Sequence, residues 1–138
     1  MSIGNMMTRK PITVDPGDSL AKAATLMEQE NVGAIVITER GKPTGIVTDR
    51  DLAFATCVRG LTPNNAIVTV MTHPVSTIRE DEGVLDATRQ MMEQSVRRLP
   101  IVDEDGKLVG LVSADDLVPL LSRELHNIAE SIQAEVAD

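Results

Sequence analysis

The chain of 138 residues is one unit written twice. Ala23, Met27 and Val32 recur 64 residues later as Ala87, Met91 and Val96. Gly41-Lys42, Gly45, Val47 and Asp51-Leu52 recur 65 residues later as Gly106-Lys107, Gly110, Val112 and Asp116-Leu117. Near the start of each copy, Met7-Thr8 and Pro11 return as Met71-Thr72 and Pro74. So many matches in fixed order mark an internal duplication.

Each copy reads the same way. Ile12-Thr13-Val14 and Val75-Ser76-Thr77-Ile78 are short β-prone stretches. Asp18 or Ser19 is placed to cap a helix over about 20–31, with Leu20, Ala23, Ala24 and Met27 on one face. The second copy sets Val84, Ala87, Met91 and Met92 in a similar stripe over about 83–95. Ala34–Ile37 and Leu99–Val102 are nearly continuous apolar runs, the pattern of buried strands. The turn signals Arg40-Gly41-Lys42 and Asp105-Gly106-Lys107 lead into further strands over 45–47 and 108–112. A helix follows from near Thr48 and from near Ser113. The predicted fold is therefore α+β, two β-α-β-β-α repeats. The expected boundaries are 6–62 and 70–126 for the repeats, 63–69 for the linker and 127–138 for a helical extension.

Composition removes most function classes. Phe54 is the only aromatic residue and the net charge is −8, which argues against gripping nucleic acid by stacking or by phosphate contacts. Cys57 alone cannot make an internal disulfide or a cysteine-rich zinc site. His73 and His126 sit in a turn and on a polar helical stretch, as surface residues do. No apolar run approaches the roughly 20 residues of a membrane span, and Met1–Asn5 lacks the basic and apolar start of a secretory leader. A cytoplasmic protein without a nucleic-acid or membrane partner is expected. The charge is lopsided: residues 1–62 hold seven Lys/Arg and seven Asp/Glu, residues 63–138 six and fourteen. A solvated acidic surface accounts for this; a face for a basic partner is the other reading.

Two stretches carry chemistry. Gly45-Ile46-Val47-Thr48-Asp49-Arg50-Asp51 and Gly110-Leu111-Val112-Ser113-Ala114-Asp115-Asp116 share a glycine, two apolar residues, a hydroxyl and an aspartate three residues on. That is the pattern of a capping box, which by itself starts a helix. The same helix start offers free N–H groups and partial positive charge to a phosphate, and an aspartate one turn in can accept two hydrogen bonds from a ribose diol. A glycine ahead of the apolar pair allows a flat ring close to the backbone. Both readings stand. Asp103-Glu104-Asp105-Gly106 is a hairpin turn, since no glutamate follows at calcium-loop spacing. Phe54 and Cys57 are expected in the core, as are Met27, Met91 and Met92.

These motifs, with the Met-Thr and Pro opening and the run Val96-Arg97-Arg98-Leu99-Pro100-Ile101-Val102-Asp103, resemble CBS domains, two of which form a Bateman module. The resemblance covers about residues 6–126 and is similar to stand-alone two-CBS proteins. It implies repeats packed by pseudo-two-fold symmetry and a non-catalytic regulatory module. Such a module requires no cofactor and takes an adenosine ligand, AMP, ADP, ATP or an S-adenosylmethionine type, in clefts between the repeats. Carried over, Thr48 and Asp51 serve one cleft and Ser113 and Asp116 the other. Adenine lies against strand backbone beside Pro100. Arg97, Arg98 and Arg50 are the phosphate candidates. The two arginines are expected to complement the Asp51 cleft, because Gly33 and Ala34 at their matching positions remove charge from the other. A regulated protein partner is a further expectation. The alternative is a structural or interaction protein whose clefts stay unoccupied.

The stripe Leu117, Leu121, Leu125, Ile128, Ile132 and Val136 extends the last helix beyond the length of its counterpart, and Pro119 should kink it. It packs either on its own module or on a second subunit; a homodimer is expected.

Overall fold

The computed structural model describes residues 2–6 and 10–137, so the expected Met7-Thr8 opening lies outside the described residues. Each repeat holds a three-stranded sheet. The first contains β1 (Thr13–Val14), α2 (Leu20–Glu30), β2 (Ala34–Glu39), β3 (Lys42–Thr48) and α3 (Asp49–Cys57), preceded by the short α1 (Ile3–Met6). The second contains β4 (Ile78–Arg79), α4 (Val84–Gln94), β5 (Arg98–Val102), β6 (Leu108–Ser113) and α5 (Ala114–Ala137), preceded by a 3-10 turn over Ile67–Thr69. In both sheets the central strand pairs parallel with the short first strand and antiparallel with its hairpin partner. The fold is α+β, with the β-α-β-β-α order present twice.

Local chemistry places the elements. Ser19 Oγ accepts from the Lys22 N–H at 3.1 Å and starts α2. α2 and α4 end at Asn31 and Ser95, matching positions that take the left-handed conformation at φ 53° and 54°. Ahead of α2, the Asp15 N–H donates to Asp18 Oδ2 at 2.8 Å and Lys22 lies 3.2 Å away. The backbone donor, with the lysine and against some desolvation, holds the Asp18 carboxyl below its usual pKa. Its contribution to stability is therefore present above the ordinary carboxylate pKa and is lost as pH falls through the lowered value.

Each repeat has its own core, and each core borrows from the segment that precedes the other repeat. The first core joins Val14, Leu20, Ala23, Met27, Ile35, Ile37, Val47, Leu52 and Ala55 to Ile67 and Val70 of the connecting turn. The second joins Ile78, Ala87, Met91, Leu99, Ile101, Val112 and Leu117 to Ile3, with Met6 packed against it. The backbone repeats the exchange. Ile3 and Gly4 N–H groups donate to the Glu82 and Glu80 carbonyls at 2.7 and 2.9 Å. Ile67 and Val68 donate to the Asp18 and Pro16 carbonyls at 2.7 and 3.1 Å. Every residue in the second set lies 64 positions from its counterpart. The expected linker 63–69 thus includes a turn that completes the first repeat's core. At the other side of the module the hairpin tips meet, where the Leu108 N–H donates to the Gly41 carbonyl at 2.8 Å.

Several side chains lie elsewhere than the periodicity implies. Phe54, 44% exposed, is not core; the Arg50 guanidinium covers its ring at 5.1 Å. Cys57 is exposed. Met92 and Ala24 are exposed as well. Each is next in sequence to a buried helical residue, Met91 or Ala23, and one helical step of about 100° carries it past the narrow face that a small sheet covers. α5 runs through Pro119 as one helix. Beyond Leu117 its apolar stripe is exposed, which removes the reading that it packs on its own module.

Candidate functional site

Both predicted motifs span the end of a hairpin strand and the first turn of the helix that follows. Thr48 Oγ1 accepts from the Asp51 N–H at 3.2 Å, and the Thr48 N–H donates to Asp51 Oδ2 at 2.9 Å. Ser113 Oγ accepts from the Asp116 N–H at 3.1 Å, and the Ser113 N–H donates to Asp116 Oδ2 at 3.0 Å. Both are reciprocal capping boxes. Capping does not exhaust them. An ionised carboxylate has about four acceptor sites, and each box uses Oδ2 of its aspartate; the second oxygen of each aspartate accepts no hydrogen bond from the described residues.

A cavity of about 450 Å³ opens beside the second motif. Ser113, Asp115, Asp116, Leu111 and Arg98 form one wall, all from the second repeat. The first repeat supplies Lys10, Pro11, Ile12 and the segment Asn31–Ala34, and Met6, which packs on the second core, completes the lining. The lining carries both kinds of group: Met6, Pro11, Ile12, Val32 and Leu111 are apolar, while Lys10, Arg98, Asp115 and Asp116 supply charge. Volume, concavity and a few convergent polar groups are those of a small-molecule site.

Arg98 stands in this wall because the β5–β6 register sets it opposite Ser113. Gly33 and Ala34 line this cavity, and Lys10 with Arg98 gives it two cations. Arg97 turns outward and binds Asp115 at 3.1 Å, an exposed pair. Pro100 is fully buried in β5 opposite Leu111, behind the cavity wall. The Asn31–Ala34 wall corresponds at 64 residues to Ser95–Arg98. By the same offset of about one repeat, Arg50 holds the place in its motif that Asp115 holds in the second.

Gly45 has a different role from the one its motif suggests. Ile46 and Thr72 exchange backbone hydrogen bonds at 3.2 and 2.9 Å, laying the connecting segment along β3. A Cβ on Gly45 would stand 2.5 Å from Met71 Sδ and 3.1 Å from the Thr72 carbonyl oxygen. The glycine makes room for this chain's own methionine, not for a ring. Lys10 and Asn31 are lining residues that sequence reasoning missed; Asn31 matches Ser95 in the repeat, and Lys10 has no such signal.

Residues 3–56 and 67–123 both match the CBS domain family model. The chain is 38% identical over 116 residues to the CBS domain-containing protein YhcV of Bacillus subtilis, covering 84% of this chain and 82% of that one. It superposes with a TM-score of 0.79 on the CBS domain pair of protein MJ0100 in complex with 5′-methylthioadenosine and S-adenosyl-L-methionine, at 27% identity over 90% of this chain and 98% of that one. A CBS domain protein from Pyrobaculum aerophilum complexed with AMP shares the fold, with a TM-score of 0.78 at 24% identity over 86% and 91% of the two chains.

Proposed function

This chain belongs to the CBS-domain family, and from that premise we propose that it is a non-catalytic sensor of an adenosine ligand held between its two repeats. The observation that carries the reading is the cavity walled by both repeats, with a capping aspartate whose second oxygen has no partner among the described residues and suits a ribose diol. Asp116 and Ser113 hold the ribose, the apolar lining side chains take the adenine, and Arg98 with Lys10 meets a phosphate or carboxylate. The same reading assigns Thr48, Asp51 and Arg50, with Arg97 and Arg98, to a companion cleft. The adenosine complex of the MJ0100 pair supports this class of ligand.

No cofactor is needed for such a role. A ligand that touches both repeats binds one relative placement of them more tightly than another and so shifts that equilibrium. A partner protein in the cytoplasm reads the shift, and the working unit is a homodimer.

Arg98→Ala tests the assignment of the charged end. Losing a hydrogen bond to a charged group removes about 1.5–3 kcal/mol. ATP or AMP affinity is expected to fall about 10–150-fold, while adenosine affinity stays within about twofold of the unaltered protein. Calorimetric titration of both ligands reads the difference. Equal weakening of the two contradicts the assignment.

A further inference from the structure

The two exchanged segments match at 64 residues, yet they are seated differently. Ile3 and Ile67 are both fully buried, each in the core of one repeat. Three positions on, Val70 is buried in the first core. Its counterpart Met6 stays half-buried; it packs against the second core and also lines the cavity. Further along, the chain supplies Lys10, Pro11 and Ile12 to the same cavity. Ile12 belongs to the first repeat, where its carbonyl accepts from the Val36 N–H at 3.1 Å. The cavity is therefore lined both by a residue anchored on the second repeat and by the strand edge of the first. No residue of the segment Ile67–Val70 lines it.

The seat of Ile3–Met6 has no spare room. A Cβ on Gly4 would stand 2.9 Å from Glu80 Cβ and 2.9 Å from the Glu80 carbonyl oxygen, the atom that accepts the Gly4 N–H. At the matching place Val68 carries a full side chain, 43% exposed, while its N–H donates to the Pro16 carbonyl. The repeat itself thus tolerates a side chain there; the close approach to Glu80 is particular to this segment. Ile3, its backbone bonds to Glu82 and Glu80 and a bridge between Ser2 and Gly83 hold the segment down. So short an attachment opens locally more readily than the core it joins. A ligand in the cavity adds contacts to Met6, whose unbranched thioether adapts to a flat ring. Those contacts exist only while the segment is seated, so they favour the seated state. The coupling is reciprocal: a loosened seat weakens the ligand by the factor by which the ligand tightens the seat.

We propose that Ile3–Met6 is a positioning segment of the cavity: seated on the second repeat it holds Met6 in the lining, and a ligand in the cavity tightens the seat. This rests on the adenosine reading of the same cavity. Amide hydrogen exchange of the full chain tests it, with and without saturating AMP, and with ATP and S-adenosylmethionine in parallel. Exchange at Ile3 and Gly4 is expected to slow about fivefold or more with the ligand that binds, while exchange at Ile67 and Val68 changes less. Gly4→Val, which crowds the seat, is expected to weaken that ligand by a similar factor, with protection at Ile67 and Val68 retained as the sign of an intact first repeat. If Gly4→Val does not fold, exchange in the unaltered chain decides alone. Bound ligand that leaves Ile3 and Gly4 unprotected, or slows both segments equally, overturns the coupling and leaves the adenosine reading standing. So does a folded Gly4→Val protein that binds as tightly as the unaltered one. A chain that binds none of the three ligands overturns the adenosine reading, and this inference with it.

Discussion

Ile3→Ala is expected to destabilise the second repeat by about 2–5 kcal/mol, and Ile67→Ala the first repeat by a similar amount. Both side chains are fully buried. Each lies in the core of a repeat that is not the one it directly precedes. Truncation to alanine removes three methyl or methylene groups from contact and leaves a cavity that a small sheet fills poorly. Denaturant unfolding with two probes checks the result, one residue pair at a time. The exchange also predicts coupling: because each repeat is completed by a segment of the other half, the module should unfold in one transition in both variants. Two separated transitions in the unaltered protein would mean that the repeats stand alone and that the exchanged segments contribute little.

Asp116→Ala carries the second large effect, and it separates the two roles of the motif. Loss of the cap is expected to lower stability by about 0.5–2 kcal/mol. Loss of the ribose contacts, made by a charged acceptor, is expected to weaken an adenosine ligand by about 1.5–3 kcal/mol, or about 10–150-fold. Asp116→Asn keeps an acceptor for the Ser113 N–H, so it should regain most of the stability while binding remains weakened. Melting temperature and affinity are read on the same samples. A destabilised Asp116→Ala protein that binds as tightly as the unaltered one would leave capping as the whole role of this aspartate.

The order of elements was legible because it rests on local signals given twice: capping residues, glycine turns and apolar strands at a constant offset. The two motif aspartates were legible for the same reason, and both lie at helix starts as their spacing implies. The exchanged segments were not. Ile3–Met6 and Ile67–Thr69 are too short to show a period, and their apolar residues acquire a purpose only when the other repeat is beside them. Their one signal was the 64-residue match of Ile3 with Ile67. The place of Arg98 depended on strand register, which sets it across from Ser113. Gly45 was misread because the atom that needs its missing Cβ belongs to Met71, 26 residues along the chain. Phe54, Cys57 and Met92 show how a helix on a small sheet buries a narrower face than a periodic pattern suggests.

The central claim is that an adenosine ligand binds between the repeats against Asp116. Calorimetric titration of the unaltered full chain with AMP, ATP and S-adenosylmethionine, beside GMP and Asp116→Ala as controls, tests it most directly. The account predicts saturable binding of at least one adenosine ligand, no comparable binding of GMP, and at least tenfold weaker binding in Asp116→Ala. Absence of binding by all three adenosine ligands, or binding that Asp116→Ala leaves unchanged, would contradict it.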